Sequence, residues 1–431
     1  MKIEADLLVE NAAQVVAASA PPSSDNAEER LGIIPDGTVA ARDGRIVWAG
    51  PADQAFGKIS LLPGGREVDA SGRVVMPGFI DSHTHLLFAG TREKEFEMRL
   101  QGASYQEIAE KGGGIKSTVE KTRRAGREEL IAAGRKNLDS MLRSGTTTVE
   151  AKTGYGLSTR HEIKMLEALG ELGREHPVEV VPTFLGAHEI PAEYSGKTED
   201  YVRLVIEEMI PAVAEKKLAR FCDVFCEKGV FSPDQSRRIL EAGKRYGMMP
   251  KLHADELTPL GGAELAAETG AVSADHLLFI NERGMEAMAE KGVVATLLPG
   301  TAFFLFLGRY APARQMISRG VTVALATDFN PGSCMTESLP LITTIACTQM
   351  RMTPAEALLG ITLHAARALR LEQEIGSLEP GKQADLVILD IPDYRHLSYH
   401  FGVNHVRQVV KKGKVVWEAA SAHPSIRVDP R

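Results

Sequence analysis

The feature that most constrains this chain is a recurrence. Eight times, an apolar strand-like run ends in polar or reactive residues, and most of these runs lead into a helix-like stretch. In chain order the runs are "VVMPGFIDSHTH", "GTTTVEAKTGYG", "VEVVPTFLGAHE", "ARFCDVFCEKG", "MMPKLHADEL", "GAVSADHLL", "GVVATLLPG" and "VTVALATDFNPG". Between them lie segments such as "TRHEIKMLEALGELGREH" and "PDQSRRILEAGKRYG", with apolar residues at helical spacing and charges between. Alternating strand and helix patterns predict a parallel sheet, and eight units predict a closed barrel rather than an open sheet. Functional groups in such a barrel gather at the carboxyl ends of the strands. Here His, Asp, Glu and Tyr fall there repeatedly.

The flanks read differently. "DGTVAARDGRIVWAGP" near the start and "GSLEPGKQADLVILD" and "VRQVVKKGKVVWEA" near the end are short β-like runs split by Gly and Pro. A polar, proline-containing insertion, "ASAPPSSDNAEER", interrupts the first flank. The ends of a closed barrel's chain can lie close together, so the flanks can join. The predicted fold is α/β: a (β/α)8 TIM-like barrel over residues 76–370, with a small β-sandwich built from 1–75 and 371–431. The stretch "GGGIKST" lacks the closing Gly-Lys-Ser/Thr order of a phosphate loop and is expected to be a flexible loop over the barrel mouth.

Composition removes whole classes of function. A chain of 431 residues with net charge −7 offers no basic face for nucleic acid. No apolar segment reaches membrane-spanning length, and acidic residues interrupt the start, "MKIEADLLVENAAQVV", where a signal peptide would need an apolar stretch. Four scattered cysteines are too few for a disulfide framework. The expectation is a cytoplasmic protein with neither a nucleic-acid nor a membrane partner.

Residues two apart on a strand point to the same side, so His83 and His85 can both aim into a barrel mouth. On a helix they would diverge. Other strand ends add His253 in "KLHADE", His276 in "SADH" and Asp328 in "ATDFN". Neutral imidazoles with one carboxylate suit a zinc- or iron-type ion that keeps a position open for water. Each residue also has a bland reading: His276 a hydrogen-bonded core histidine, His253 a packing residue, Asp328 a helix cap before "NPGS". All of these would have to fall at the same end of the strands by chance.

"GFIDSHTH", "KLHADE", "DH", "ATDFNPG" and "GSLEPGKQADLVILD", taken together, resemble the amidohydrolase superfamily over nearly the whole chain. The resemblance implies a metal-dependent barrel with a terminal β-sandwich. "HTHLLFAGTRE", "GGGI", "EAKTGYGL", "TFLGAHE", "HADE" and "ATDFNPGS" narrow it to a ring-opening branch. That branch implies metal ligation by His83, His85, His253 and Asp328, and substrate contacts from Arg92, Tyr155, His188, Glu256, Asn330, Gly332 and Ser333. It also implies hydrolysis of the cyclic amide C–N bond of 4-imidazolone-5-propanoate to N-formimidoyl-L-glutamate, and a homodimer. The expected cofactor is one divalent or trivalent transition metal ion per subunit, Zn or Fe. The expected partner is a small-molecule substrate bearing a carboxylate.

The chemistry is consistent with those residues. A neutral amide-like ring needs an activated water, which a metal supplies by lowering the water's pKa to about 7. Glu256 is the expected proton shuttle, with Asp328 a rival base, and His276 can stabilise the oxyanion. Arg92 offers a planar fork to the propanoate where lysine would offer a point charge. Its bland reading is a surface arginine; for Tyr155 it is edge packing, and for His188 a structural histidine. Relatives with two metals use a carboxylated lysine at the fourth strand's end, near Lys228 here, while Lys152 ends the second strand. Both are expected to make ion pairs, leaving one metal. Cys222 and Cys226 are expected to be buried fillers. The rival functions are a deaminase of a purine- or pyrimidine-like ring and a non-enzymatic scaffold of the same fold.

Overall fold

The computed structural model describes residues 2–19, 26–103, 107 and 112–420. The amino-terminal flank forms β1 (Ile3–Val16), β2 (Ile33–Arg42), β3 (Arg45–Pro51), β4 (Ile59–Asp69) and β5 (Val74–Pro77). The barrel follows with β6 (Phe79–Asp81), β7 (Thr146–Lys152), β8 (Glu179–Ala187), β9 (Phe221–Cys226), β10 (Met249–Pro250), β11 (Leu252–Ala254), β12 (Ser273–His276), β13 (Val294–Leu297) and β14 (Val323–Leu325). The chain ends in β15 (Leu386–Leu389), β16 (Val406–Lys411) and β17 (Lys414–Glu418). Of the polar insertion, residues 20–25 lie outside the described residues, and Ala27–Leu31 form a short helix.

Both flanks build one sheet, in the order β17-β16-β15-β5-β1-β2-β3, with β4 also on β1. The join is made by β5, which runs parallel to β1 and antiparallel to β15, with Val74 opposite Leu389 and Pro77 opposite Leu386. Leu7, Val9, Ala12 and Val15 of β1 pack on Val39, Ile46, Leu386 and Val410 in a separate small core. β1 shifts register between Val9 and Ala12, where Asn11 takes a φ of 61°, a conformation that asparagine tolerates. The first of the eight runs is therefore divided: Val74–Pro77 joins the terminal sheet and Phe79–Asp81 starts the barrel.

The remaining strands pair in parallel from β6 through β14, with β10 an extra pairing on β9. Between β14 and β6 the barrel closes just past the strand ends. The Asp328 N–H donates to the His83 carbonyl at 3.0 Å, and the His85 N–H to the Phe329 carbonyl at 2.9 Å. The buried Asp81 carboxylate reinforces this seam by accepting from the Thr327 N–H (3.0 Å) and hydroxyl (2.6 Å).

Helices clothe the barrel where the apolar spacing predicts them, at Thr159–Glu175 and Pro233–Arg245. The second is started by Ser232, whose side chain accepts from the Gln235 N–H while Gln235 reaches back to the Ser232 N–H. "GGGIKST" departs from its expected loop. Only the glycines form a turn, and Ile115 opens a helix running to Arg124. Cys222 and Cys226 are buried free thiols. Among the described residues no helix is long and apolar enough to cross a membrane.

Candidate active site

Five donor side chains converge at the carboxyl ends of the barrel strands. His83 and His85 follow β6, His253 lies in β11, His276 ends β12, and Asp328 follows β14. One ligand atom each from His83, His85 and His253 lies within 4.8 Å of the others, and the same holds for His83, His276 and Asp328. The Nε2 atoms of His83 and His85 both stand 3.5 Å from Asp328 Oδ1. His83 Nε2, His253 Nε2, His276 Nδ1 and Asp328 Oδ1 are buried with no hydrogen-bond partner. Each such orphan costs about 1–3 kcal/mol when buried, and their grouping into two triads that share His83 calls for a cation. Three imidazole nitrogens and a carboxylate oxygen are donors of the kind a single transition metal takes, so the residues fit one.

The other nitrogens of two imidazoles are already committed. His83 Nδ1 lies 2.7 Å from Asp275 Oδ2, and His253 Nδ1 lies 3.2 Å from Asp223. Donation from Nδ1 leaves the Nε2 lone pair facing the cluster. Asp328 keeps its second oxygen on the Thr301 hydroxyl at 2.6 Å. Burial raises the Asp328 pKa to about 6 and holds His276 well below its ordinary range.

A cleft of about 290 Å³ opens over this cluster. Arg92, Tyr155, His188, Glu256, Asn330, Gly332 and Ser333 all line it, beside His85, His253, His276 and Asp328. His83 lies beneath, fully buried. The structure thus brings the candidate ligand, proton-transfer and substrate-contact residues to one place, while Lys228, Cys222 and Cys226 lie outside the cleft.

Local interactions explain how each is held. Arg92 precedes the helix Glu93–Leu100, and its Nε donates to Glu95 at 2.8 Å. Tyr155 sits on a loop tied down by the buried Glu162, which accepts the N–H groups of Gly154 (3.2 Å), Gly156 (2.8 Å) and Leu157 (2.7 Å). Arg123 grips the same loop through the carbonyls of Gly156 and Leu157. His188 stacks on His85 with centroids 4.8 Å apart, and its Nδ1 donates to the Gly154 carbonyl at 3.1 Å. Burial lowers the His188 pKa to about 3, so the ring is neutral.

Glu256 follows β11 on a loop with two anchors. Asp255 accepts from the N–H groups of Leu260, Gly261, Gly262 and Ala263, and Glu227 accepts from those of Leu257 and Thr258. The Glu256 carboxylate stands 3.5 Å from His276 Nε2. Burial, with the nearby charge of Asp328, pushes its pKa up to about 8. Asn330 is spent within its own turn. Its Oδ1 accepts from the Gly332 and Ser333 N–H groups and its Nδ2 donates to the Asp328 carbonyl and the Ser333 hydroxyl.

Sequence reasoning missed Arg99, which lines the cleft with its guanidinium 5.3 Å from the Phe304 ring and its buried Nε unpartnered. Its spacing, two turns along the helix from Arg92, was the available signal. It also missed the charged partners that surround Lys152 behind the histidines: Glu150, Asp223, Lys251 and Asp275. Lys152 is ion-paired within this group, whereas Lys228 is exposed.

A barrel with buried imidazoles and an aspartate at its mouth, fit for one metal ion, defines a class. The chain belongs to the amidohydrolase family, whose model matches residues 74–416. Across 414 residues it is 52% identical to the imidazolonepropionase of Geobacillus sp. (strain WCH70), covering 95% of this chain and 97% of that one. It is also 52% identical over 412 residues to the imidazolonepropionase of Symbiobacterium thermophilum, with the same coverage. Solved structures share the fold at lower identity. The 5-methylcytosine deaminase of Klebsiella pneumoniae matches with a TM-score of 0.72 at 17% identity, over 97% of this chain and 100% of that one. A zinc-bound adenosine deaminase of Xanthomonas campestris matches with a TM-score of 0.68 at 21% identity, over 96% and 93%.

Proposed function

We infer that this chain works as an imidazolonepropionase, a hydrolase that opens a cyclic amide by breaking its C–N bond. The substrate would be 4-imidazolone-5-propanoate and the product N-formimidoyl-L-glutamate. The relatives at about half identity over nearly the whole chain support the activity. The single observation that carries the substrate is Arg92, a guanidinium in the same cleft as the imidazoles, where an anionic arm needs a cation.

In this reading His83, His85, His253 and Asp328 hold one metal ion, Zn or Fe, which when bound supplies Lewis acidity and a lowered water pKa. Arg92 holds the propanoate and Tyr155 adds a hydroxyl to it, while His188, stacked on His85, walls the ring. Glu256 takes a proton from the attacking water and returns it to the leaving ring nitrogen. Its position between the cleft and His276 suits that exchange, and its raised pKa lets it carry the proton between the two steps. His276, kept neutral by burial, offers a ring N–H to the oxygen on which charge develops. Asn330 shapes the turn that presents the backbone of Gly332 and the hydroxyl of Ser333. Free thiols and the absence of a spanning helix among the described residues agree with work in the cytoplasm.

The test is a ring-opening assay with freshly generated 4-imidazolone-5-propanoate beside guanine, cytosine and hydantoin, run with metal analysis of the purified protein. Turnover of the first alone, with close to one equivalent of transition metal, is expected. Turnover of guanine or cytosine instead makes the chain a deaminase. Less than about half an equivalent, with no activity gained on adding Zn²⁺ or Fe, makes it a scaffold.

A further inference from the structure

Behind the imidazoles the barrel is filled by charge instead of the branched apolar side chains usual there. Glu150 and Lys152 from β7, Asp223 from β9, Lys251 next to β11 and Asp275 from β12 are all 0% exposed. The Lys152 ammonium stands at the centre, 2.7 Å from Asp223 Oδ2, 3.1 Å from Glu150 Oε1 and 3.3 Å from Asp275 Oδ2. Two of these carboxylates are the ones that receive imidazole Nδ1 atoms: Asp275 from His83 and Asp223 from His253. Glu150 closes the group from the far side, accepting from Lys251 Nζ at 2.8 Å and from the Thr183 hydroxyl at 2.5 Å.

One ammonium therefore stands behind two imidazoles that come from different strands. Asp223 and Asp275, both fully buried, meet at the same cation, and among the described residues no other ammonium lies within hydrogen-bond reach of either. Without that cation, two like charges would face each other in a dry core, and repulsion would drive them off their imidazoles. Lysine suits the task because three N–H donors on one nitrogen match three converging carboxylates. The Ser273 hydroxyl, 2.7 Å from Asp275 Oδ1, holds only the other oxygen of that carboxylate.

We propose that Lys152 is a positioning residue that sets the ring orientation and tautomer of His83 and His253 together, through Asp275 and Asp223. The inference rests on the reading of those two histidines as metal ligands. It makes Lys152 neither a ligand nor a residue that touches substrate. It gives the buried lysine a structural charge to supply, with no room left on its nitrogen for a carboxylate bridge between two metals.

The experiment measures Zn²⁺ affinity by chelator competition on stripped protein, with melting curves and steady-state kinetics beside it. Lys152→Met is expected to weaken Zn²⁺ binding 10- to 100-fold, the usual cost of losing a partner behind a ligand. Its kcat should fall while KM stays within twofold, a split that loosened packing at the cleft would not give. Asp223→Asn and Asp275→Asn should each cost about tenfold in affinity alone, and less than threefold when added to Lys152→Met. Wild-type Zn²⁺ affinity in Lys152→Met overturns the proposal, as do fully additive losses in the double variants. If Lys152→Met does not fold, the two Asp→Asn variants decide, and unchanged affinity in both overturns it. His253→Ala separates the two readings: lost Zn²⁺ there beside unchanged Lys152→Met sinks only the positioning role. Unchanged binding in His253→Ala sinks the ligand assignment and the proposal with it.

Discussion

The guanidinium of Arg92 occupies the space that a side chain on Gly332 would need. A β-carbon at position 332 would lie 2.2 Å from Arg92 Nη1 and 3.0 Å from its Cζ. The glycine is a vacancy kept for the arginine, and the clash falls on the movable end of a long side chain. Gly332→Ala should therefore fold normally and displace Arg92. Its KM for imidazolone propanoate should rise tenfold or more, as in Arg92→Ala, because a lost charge-assisted hydrogen bond is worth roughly 1.5–3 kcal/mol. Steady-state kinetics and a melting curve check this, and wild-type KM in either variant sinks the clamp.

Glu256→Gln keeps the shape of the side chain and removes its ability to hold a proton. We expect kcat to fall by about 10²- to 10⁴-fold, the usual worth of a positioned acid–base group, with KM little changed. A drop smaller than tenfold would pass the shuttle role to Asp328.

Arg99 adds a second cation to the cleft, and among the described residues no carboxylate is ion-paired with it. Its effect on an anionic substrate acts at longer range than that of Arg92 and is open to salt. Arg99→Ala should raise KM about threefold in dilute buffer, corresponding to about 0.6 kcal/mol, and the difference should shrink as salt is added. Kinetics at low and high ionic strength read this directly. Stability should not drop, since burial and the Arg92 charge both disfavour the Arg99 cation in the fold.

His364 lies far from this chemistry and links the barrel to the amino-terminal unit. Its Nδ1 donates to the Val323 carbonyl at 2.8 Å, and Arg30 donates to its Nε2 at 2.7 Å. Burial, with the charges of Arg30 and Arg367, lowers its pKa from 6.5 to about 3. The unfolded chain thus binds this proton at a higher pH than the fold does. The stability contributed is complete above pH 6.5 and is lost as pH falls from there towards 3, by up to about 1.4 kcal/mol per pH unit. His364→Gln should show a flatter decline of urea midpoint between pH 7 and pH 4.5. An unchanged slope would rule the residue out as an acid-sensitive point.

Much of the architecture was legible because strand polarity is written locally. His83 and His85 alternate with Ser82 and Thr84, and a period of two assigns their side without knowledge of any neighbour. What escaped depends on partners far away in the chain. Asp275 stood in plain view within "SADH", yet its part appears only when His83 comes to 2.7 Å of it from another strand. Lys152 was expected to make an ion pair, but its alternating partner Glu150 says nothing of Asp223, which shares the same nitrogen. The division of "VVMPGFIDSHTH" between two sheets was hidden for a related reason. Gly78 allows the chain to pass against Thr147, where a β-carbon would lie 2.4 Å from that side chain, and only the packed barrel reveals the contact.

The seam between β6 and β14 carries one more consequence. The backbone bonds that join the first barrel strand to the last run through His83, His85, Asp328 and Phe329, three of which carry the donor side chains. A cation gripped by those side chains would act as a clasp across the final joint of the barrel. Binding and ring closure then become a single cooperative event. A chain cut short of Asp328 would forfeit the site and the joint together, and a tightly held ion would guard the whole barrel against opening at this edge.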